Sequence, residues 1–189
     1  MKQEKQYIQR VLNGDVNAFG YLVGLHKDMV YTLALRMLKK PEEAEELAQD
    51  VFVKAFQSLE SFKFESRFST WLYRITYNAA VSCLRKKRVQ MEDIDNIHLP
   101  DHMVMDTYQG INELKNKEQR TYVRLAIKQL KEEEAFIVTL YYLEEHSIDE
   151  ISEITGFTPS NVKVKLHRAR KRFYEALKQI LKDEMKMIV

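Results

Sequence analysis

Residues 147–172 constrain the fold most, because their pattern predicts two short helices joined by a tight turn. Ser147, followed three residues later by Glu150, fits a capping box in which hydroxyl and carboxylate each satisfy an orphaned backbone N–H group. Gly156 suits the left-handed position that ends a helix, and Pro159 suits the first position of the next. The stretch therefore predicts a helix-turn-helix unit.

The second helix of this unit carries a strong excess of positive charge. Val162, Leu166 and Ala169 share one apolar face, which leaves the basic side chains spread over the rest of the helix. Between Lys163 and Arg172 six residues are Lys or Arg and none is acidic, although the whole chain has a formal net charge of only +2. A helix selected for solubility usually mixes both signs, so the pattern favours DNA binding over a solvated amphipathic hairpin.

The composition favours an all-α protein with one domain or two small ones. The 189 residues include only 5 Gly and 3 Pro, and 45% are apolar, which is enough for compact cores. A single cysteine, Cys83, excludes an internal disulfide and suits a reducing compartment. The N-terminus lacks the apolar core of a signal peptide, and no apolar run is long enough to span a bilayer. We therefore expect a cytoplasmic protein without membrane insertion.

Helical periodicity is clear in the first half of the chain. Residues 15–39 predict a long helix, and residues 41–59, opened by Pro41, follow the i, i+3, i+4, i+7 apolar pattern closely. Near the start of this second helix, five acidic residues fall within nine positions. The helix dipole favours carboxylates in a first turn, but five are more than capping requires. A protein-docking face is at least as good an interpretation.

An aromatic and basic segment follows at residues 61–69 and runs into a helix predicted over residues 70–88. Single-stranded nucleic acid requires such a mixture, because bases stack on rings while cations track phosphates. The predicted core face of this helix comprises Trp71, Ile75, Ala79 and Cys83. Its last turn holds four consecutive cations, Arg85, Lys86, Lys87 and Arg88, which suit either a helix C-terminus or a phosphate backbone.

Helical periodicity fades between residues 90 and 116, where acidic residues and Pro100 predict a flexible acidic linker. His98 and His102 lie in this segment, but without nearby cysteines or a helical frame we expect no metal site. A second helical unit is predicted to begin near residue 117. Its two apolar faces are Tyr122, Leu125, Ala126 and Leu130, and Phe136, Ile137, Leu140 and Tyr141. No catalytic motif is present, so we expect neither enzymatic activity nor a cofactor.

Four segments together resemble one family, the extracytoplasmic-function (ECF) sigma factors of bacterial RNA polymerase. Residues 41–59, PEEAEELAQDVFVKAFQSL, are similar to the segment with which this family binds core polymerase. Residues 62–88, with the core Trp-Leu-Tyr-Arg-Ile, resemble the segment that melts the promoter and reads the minus-10 element. Residues 130–156 and 158–173 resemble the domain that reads the minus-35 element. The resemblance covers nearly the whole chain in the right order.

The resemblance implies an all-α protein of two small helical domains. Residues 1–89 would form sigma region 2, residues 90–116 a flexible acidic linker, and residues 117–189 the helix-turn-helix domain of region 4. It also implies core RNA polymerase and promoter DNA as partners. Many family members bind an anti-sigma factor as well, and such a partner leaves no dependable mark in this sequence.

The resemblance further implies three sets of contact residues. The face that docks on the clamp helices of the largest polymerase subunit would comprise Glu45, Glu46, Gln49, Asp50 and Lys54. The minus-10 set would comprise Phe62, Lys63, Phe64, Arg67, Trp71, Tyr73, Arg74, Asn78, Arg85, Lys86, Lys87 and Arg88. The minus-35 set would comprise Ser160, Asn161, Lys163, Val164, Lys165, His167, Arg168, Arg170 and Lys171. In this last set Lys165, Arg170 and Lys171 would mainly neutralise phosphates, which positions the helix without reading sequence.

Two other functions remain open from the residues alone. A regulator of the two-component output type has a DNA-binding domain similar to residues 120–181, but this hypothesis leaves residues 41–88 unexplained. A helical adaptor that binds only protein is the other alternative. It would not need the basic helix of the helix-turn-helix.

Overall fold

The computed structural model of the protein describes residues 2–92 and 117–188. Within these ranges the chain forms eight α-helices, one 3₁₀ turn and one π-helical turn, and no strand, which confirms the predicted all-α class. The chain divides into two compact units, Met1–Met105 and Asp106–Val189. Among the helices of the described ranges, none is long and apolar enough to cross a membrane.

The first unit is built around a central helix. Its four helices are α1 Lys2–Leu12, α2 Ala18–Leu38, α3 Pro41–Gln57 and α4 Phe68–Glu92, with a 3₁₀ turn at Leu59–Ser61. Helix α2 packs against the other three helices, and α3 also packs against α4. Leu22, Val30, Leu33 and Met37 on α2 are accordingly buried. The predicted helices at residues 15–39 and 41–59 are thus confirmed, with Pro41 as the first residue of α3.

Helix α1 has no counterpart in the sequence predictions. It is short, and only a few of its residues are apolar. Ile8 and Val11 are buried against the rest of the unit, and the Tyr7 ring stacks on Tyr21 of α2 at a centroid distance of 3.8 Å. The spacing of Tyr7, Ile8 and Val11 is the signal in the sequence that marks this helix.

Helix α4 is buried on a different line from the one predicted. Its centre runs through Leu72, Thr76 and Ala80, all fully buried, whereas Trp71 and Cys83 are half-buried. The small or hydroxyl-bearing residues on this line give a weak apolar signal in the sequence. Thr76 is compatible with the core because its hydroxyl donates to the carbonyl of Leu72 at 2.9 Å.

The second unit places a helix-turn-helix on a small helical core. Its elements are α5 Lys117–Lys128, α6 Glu132–Val138, a π-helical turn at Thr139–Leu143, α7 Ile148–Thr155 and α8 Pro159–Ile188. Helix α8 packs against α5, α6 and α7. Helix α5 begins at Lys117, the residue near which the second unit is predicted to begin. The prediction that Leu125 faces the core is wrong: Leu125 is exposed, and its neighbours Ala126 and Ile127 are buried instead.

Helix α4 overlaps the first residues of the predicted linker. Helix α4 continues to Glu92, so residues 90–92 are helical. The remainder of that segment, including His98 and His102, lies outside the described residues. The domain limits at residues 89 and 117 stay predictions.

Glu144 gives the second unit a dependence on pH. Burial raises the pKa of this carboxyl from 4.5 to about 7. Between these two values the folded state binds more protons than the unfolded state, so its stability falls as the pH rises. We expect a lower urea midpoint for unfolding of the second unit at about pH 8 than at about pH 5.

Glu144→Gln should remove this part of the pH dependence, because the amide does not titrate. Glu145→Gln is the matched control, since Glu145 is exposed and adjacent in sequence. An identical pH slope in both variants would contradict the assignment to Glu144.

Candidate nucleic-acid and protein interfaces

The outer side of α3 presents an acidic surface. All five residues of the predicted docking set are exposed there, while Leu47, Val51 and Ala55 are buried on the opposite side. The exposed residues are Glu45, Glu46, Gln49, Asp50 and Lys54. Val53 lies among them and is 54% exposed, which gives the acidic surface an apolar centre. Val53 falls outside the apolar pattern of the buried side of α3, and this is the signal in the sequence that marks it as exposed.

The charge of this surface acts on its surroundings. Burial, together with the charges of Glu45 and Glu42, raises the pKa of Tyr31 on α2. Glu43 is different, because its carboxylate pairs with Lys87 of α4 and lies 3.3 Å from the Lys40 ammonium. Burial opposes ionisation of Glu43, but these two lysines lower its pKa below the usual value. The acidic surface is therefore formed without Glu43.

The segment before α4 and the first turn of α4 form an aromatic cluster. Phe62 lies at its centre, with ring centroids 4.8 Å from Phe64, 5.7 Å from Phe68 and 5.3 Å from Trp71. Phe62 is only 6% exposed, whereas Phe64 is 37% exposed at the outside of the cluster. Phe64 has a φ of +60°, a conformation that is costly for a bulky residue and is found at functional sites when surrounding structure imposes it.

The predicted minus-10 residues divide into exposed and buried members. Phe62 and Tyr73 are buried, so neither ring is open to a base in this conformation, and their place in the minus-10 set stays a prediction. Phe62 is in the core because its ring packs on those of Phe68 and Trp71. Trp71 and Lys87 are half-buried. The exposed members are Lys63, Phe64, Arg67, Arg74, Asn78, Arg85, Lys86 and Arg88.

Helix α4 arranges part of this set on one side. Arg74, Asn78 and Arg85 lie at i, i+4 and i+11, which places them on one exposed face. Lys87 points instead toward Glu43 on α3. Of the four consecutive cations at residues 85–88, three are thus exposed and one pairs with α3.

Replacement of Phe62 by Ala should lower the free energy of unfolding by about 3 kcal/mol, because a buried ring is lost and a cavity remains. Phe64→Ala is the matched control and should cost less than about 1 kcal/mol, since that ring is partly solvated. Fluorescence of Trp71, the single tryptophan, reports the urea transition of this unit. Equal losses in both variants would show that Phe64 is as much a core residue as Phe62.

The helix-turn-helix forms as its sequence predicts. The backbone N–H of Glu150 donates to the Ser147 hydroxyl at 3.2 Å, and the N–H of Ser147 donates to the Glu150 carboxylate at 2.9 Å. Gly156 ends α7 with a φ of 74°. The Thr158 hydroxyl accepts from the N–H of Asn161 at 3.2 Å, which caps α8.

Helix α8 presents a basic surface opposite its buried side. Val162, Leu166 and Ala169 are buried. The opposite line, at i, i+4, i+7 and i+11, consists of Ser160, Val164, His167 and Lys171. The exposed flanks of this line are Asn161, Lys163, Arg168 and Arg170. Eight of the nine predicted minus-35 residues are thus exposed on one broad surface.

The remaining predicted residue, Lys165, is held by the protein. Its ammonium lies 2.5 Å from the Glu133 carboxylate and 4.6 Å from the centroid of the Phe157 ring. Arg172 is held in the same way, with Nη1 2.5 and 2.6 Å from the two carboxylate oxygens of Glu134. Of the six cations counted in the sequence, these two attach α8 to α6. The expectation that Lys165 neutralises phosphates does not fit this conformation.

The chain matches known families over both units. Sigma-70 region 2 matches residues 22–89, and Sigma-70 region 4 matches residues 120–173. The ECF RNA polymerase sigma factor SigW of Bacillus subtilis is 32% identical over 185 residues, covering 95% of this chain and 97% of the relative. The RNA polymerase sigma-H factor of Pseudomonas aeruginosa is 31% identical over 189 residues, covering 96% and 97%.

Solved structures show the same fold. The sigma factor RpoE from Bartonella quintana, in complex with the anti-sigma factor NepR, has a TM-score of 0.70 and 24% identity. The similarity covers 85% of this chain and 96% of that one. CnrH, in complex with the cytosolic domain of CnrY, has a TM-score of 0.64 and 18% identity and covers 94% and 98%.

The two helical units and these matches define a sigma factor, a non-catalytic subunit of RNA polymerase that acts in transcription initiation. The chain belongs to the ECF group of the sigma-70 family. Residues 41–88, which a two-component output regulator leaves unexplained, lie within the region 2 match. Among the described residues, no group of three or more His, Cys, Asp or Glu side chains is placed to hold a metal ion.

Proposed function

We propose that this protein binds core RNA polymerase, recognises minus-35 and minus-10 promoter elements, and promotes DNA melting for transcription initiation. The segregation of exposed charge carries the proposal. One helix of the first unit presents acids around an apolar centre, while the end of α4 and the open side of α8 present cations. A single chain with a protein-docking surface and two separate basic surfaces suits bipartite DNA recognition by a polymerase subunit.

This proposal divides the tasks among three segments. Residues 1–89 dock on polymerase and act at the minus-10 element, residues 90–116 connect, and residues 117–189 read the minus-35 element. The α3 acidic surface meets the clamp helices of the largest polymerase subunit. Complementary charge would speed and orient this association, and Val53 would add apolar contact at its centre.

At the minus-10 element, the loop before α4 captures unpaired bases. Flipping a base out of the duplex costs a few kcal/mol, about the amount that stacking on an aromatic ring and hydrogen bonding in a pocket return. Phe64, exposed at the outside of the aromatic cluster, is the ring best placed to stack. Arg74, Asn78 and Arg85 on the open face of α4 hold the neighbouring backbone.

At the minus-35 element, α8 enters the major groove. Lys163, Val164, His167 and Arg168 face base edges, and Arg170 and Lys171 neutralise phosphates. The attachment of α8 to α6, chiefly through the buried carboxylate of Glu134, holds this helix in place. A rigid reading helix loses little conformational freedom on binding.

An anti-sigma factor is a further proposed partner. Both solved relatives described above are complexes, one with the anti-sigma factor NepR and the other with the cytosolic domain of CnrY. A regulator that covers the α3 acidic surface or the basic surface of α8 would keep this protein from polymerase or promoter in the cytoplasm.

Run-off transcription tests the main proposal. Core polymerase alone should not initiate on promoters selected from a random library, whereas core plus this protein should start at fixed positions. If the protein supports initiation on none of the selected promoters, the proposed function is excluded. Binding of the protein to duplex DNA without any effect on initiation would point to a regulator instead.

Reversing charge on the α3 acidic surface should weaken the polymerase complex by about tenfold or more, because Glu46→Lys with Asp50→Lys turns attraction into repulsion. Both side chains are exposed, so folding should be unchanged. Glu60→Lys with Asp28→Lys makes the same change in net charge at two exposed positions outside α3 and is the control. Titration of labelled protein with core polymerase measures the affinities. Equal weakening by the control would mean that only the overall charge matters.

A further inference from the structure

We propose that α1 is part of the surface that holds the displaced DNA strand, with Lys5 contacting a phosphate beside the ring of Phe64. The inference rests on the proposed melting function and adds a residue to it. Helix α1 lies before the segment matched by Sigma-70 region 2, which begins at residue 22. The family match therefore assigns no role to this helix.

Helix α1 is fixed against the aromatic cluster. Ile8 and Val11 are buried, and α1 contacts both α2 and the 3₁₀ turn that precedes the cluster. The Glu4 carboxylate lies 2.7 Å from Nε2 of His26, whose ring centroid is 5.6 Å from that of Phe68. The first turns of α1 are thus held at a defined position beside the loop.

Lys5 meets this loop at its exposed ring. Its Nζ atom lies 5.2 Å from the centroid of the Phe64 ring. Both side chains are exposed, and Phe64 lies at the outside of the cluster with a positive φ. An exposed cation–π contact is weak, so the ammonium can exchange the ring for a phosphate at little cost.

The chemistry of this surface matches a single strand better than a duplex. Lys63 and Arg67 on the same loop are also exposed. A ring with cations near it binds unpaired nucleotides, because the base stacks on the ring while the cations neutralise its phosphates. The bases of a duplex are already stacked and cannot use the ring. Lys5 is therefore assigned to the melted state, in which it holds the strand stacked on Phe64.

Holoenzyme carrying Lys5→Ala tests the assignment. The probe is a single-stranded oligonucleotide with the non-template minus-10 sequence of a promoter selected with the wild-type protein. Affinity should fall by about threefold to tenfold, and the slope of log affinity against log salt should fall by about 0.7, the value for one lost phosphate contact on a single strand. Lys5→Arg should keep the slope. Lys27→Ala, which removes an exposed cation from α2, should change neither quantity.

The outcomes separate this inference from the proposed function. If wild-type holoenzyme neither initiates nor binds the oligonucleotide better than core polymerase, the proposed function itself fails. If wild-type holoenzyme is active and Lys5→Ala behaves like Lys27→Ala, the assignment of Lys5 is overturned. A lower thermal stability of Lys5→Ala with an unchanged salt slope also overturns it, because Lys5 would then only hold the loop.

Discussion

Replacing Glu134 with Gln should destabilise the second unit by about 2 kcal/mol, because it breaks a buried ion pair. The Glu134 side chain is 7% exposed and takes both of its hydrogen bonds from Nη1 of Arg172. Loss of one partner in a buried pair costs about 3–5 kcal/mol, and the partial exposure of Arg172 reduces that figure here. Amide hydrogen exchange measures the effect, and it should be faster in α6 and the adjoining part of α8 of the variant than in the wild type.

Glu133→Gln provides a matched control one residue away. Glu133 also pairs with a basic residue of α8, Lys165. The Glu133 side chain is 42% exposed, however, so this pair is solvated. Exposed pairs contribute about 0–1 kcal/mol, and this variant should exchange almost as slowly as the wild type. Equal effects at the two positions would contradict a special role for burial. The pair at Glu134 would then be one more surface ion pair.

The partners in these two ion pairs could not be predicted from the sequence. Six cations and three adjacent glutamates are visible in the sequence, and the glutamates predict the start of a helix. Their pairing joins residues 32 and 38 positions apart, and only the packing of α6 on α8 decides it. Lys165, which belongs to the predicted minus-35 set, and Arg172, which does not, therefore pair with glutamates of α6 for a reason that lies outside the local pattern. The contact of Lys165 with phosphate stays a prediction.

Local signals, by contrast, predict their structures well. The capping box at Ser147 and Glu150, the left-handed Gly156 and the start of α3 at Pro41 each depend on a few neighbouring residues. Their geometry follows from backbone hydrogen bonding and φ preferences alone. This is why the helix-turn-helix can be predicted from the sequence.

Burial is harder to predict, because it depends on which elements meet. Leu125 is apolar and exposed, while Thr76 is polar and fully buried. Phe62 and Phe64 are two residues apart in one aromatic segment, yet one ring is in the core and the other faces solvent. The composition of the minus-10 segment predicts its chemistry. It does not predict which of its rings a base could reach.

Loss of the Arg168 side chain should reduce promoter discrimination by about 1–3 kcal/mol if its guanidinium reads a base edge. Arg168 is exposed on the open side of α8, so Arg168→Ala should leave the fold intact. Competition binding of holoenzyme, with the selected minus-35 duplex against a random duplex, measures the discrimination. An arginine can bind a guanine through two hydrogen bonds, and alanine can make neither.

Lys171→Ala is the control that distinguishes a base contact from a phosphate contact. Lys171 is also exposed on α8, but a lysine at a phosphate contributes affinity without sequence preference. Its loss should weaken both duplexes equally and lower the salt slope by about 0.9. If Arg168→Ala gives that same pattern, Arg168 is a phosphate contact, and base reading on α8 must come from Lys163, Val164 and His167. Unequal losses on the two duplexes for Arg168→Ala alone would assign sequence-specific recognition to Arg168.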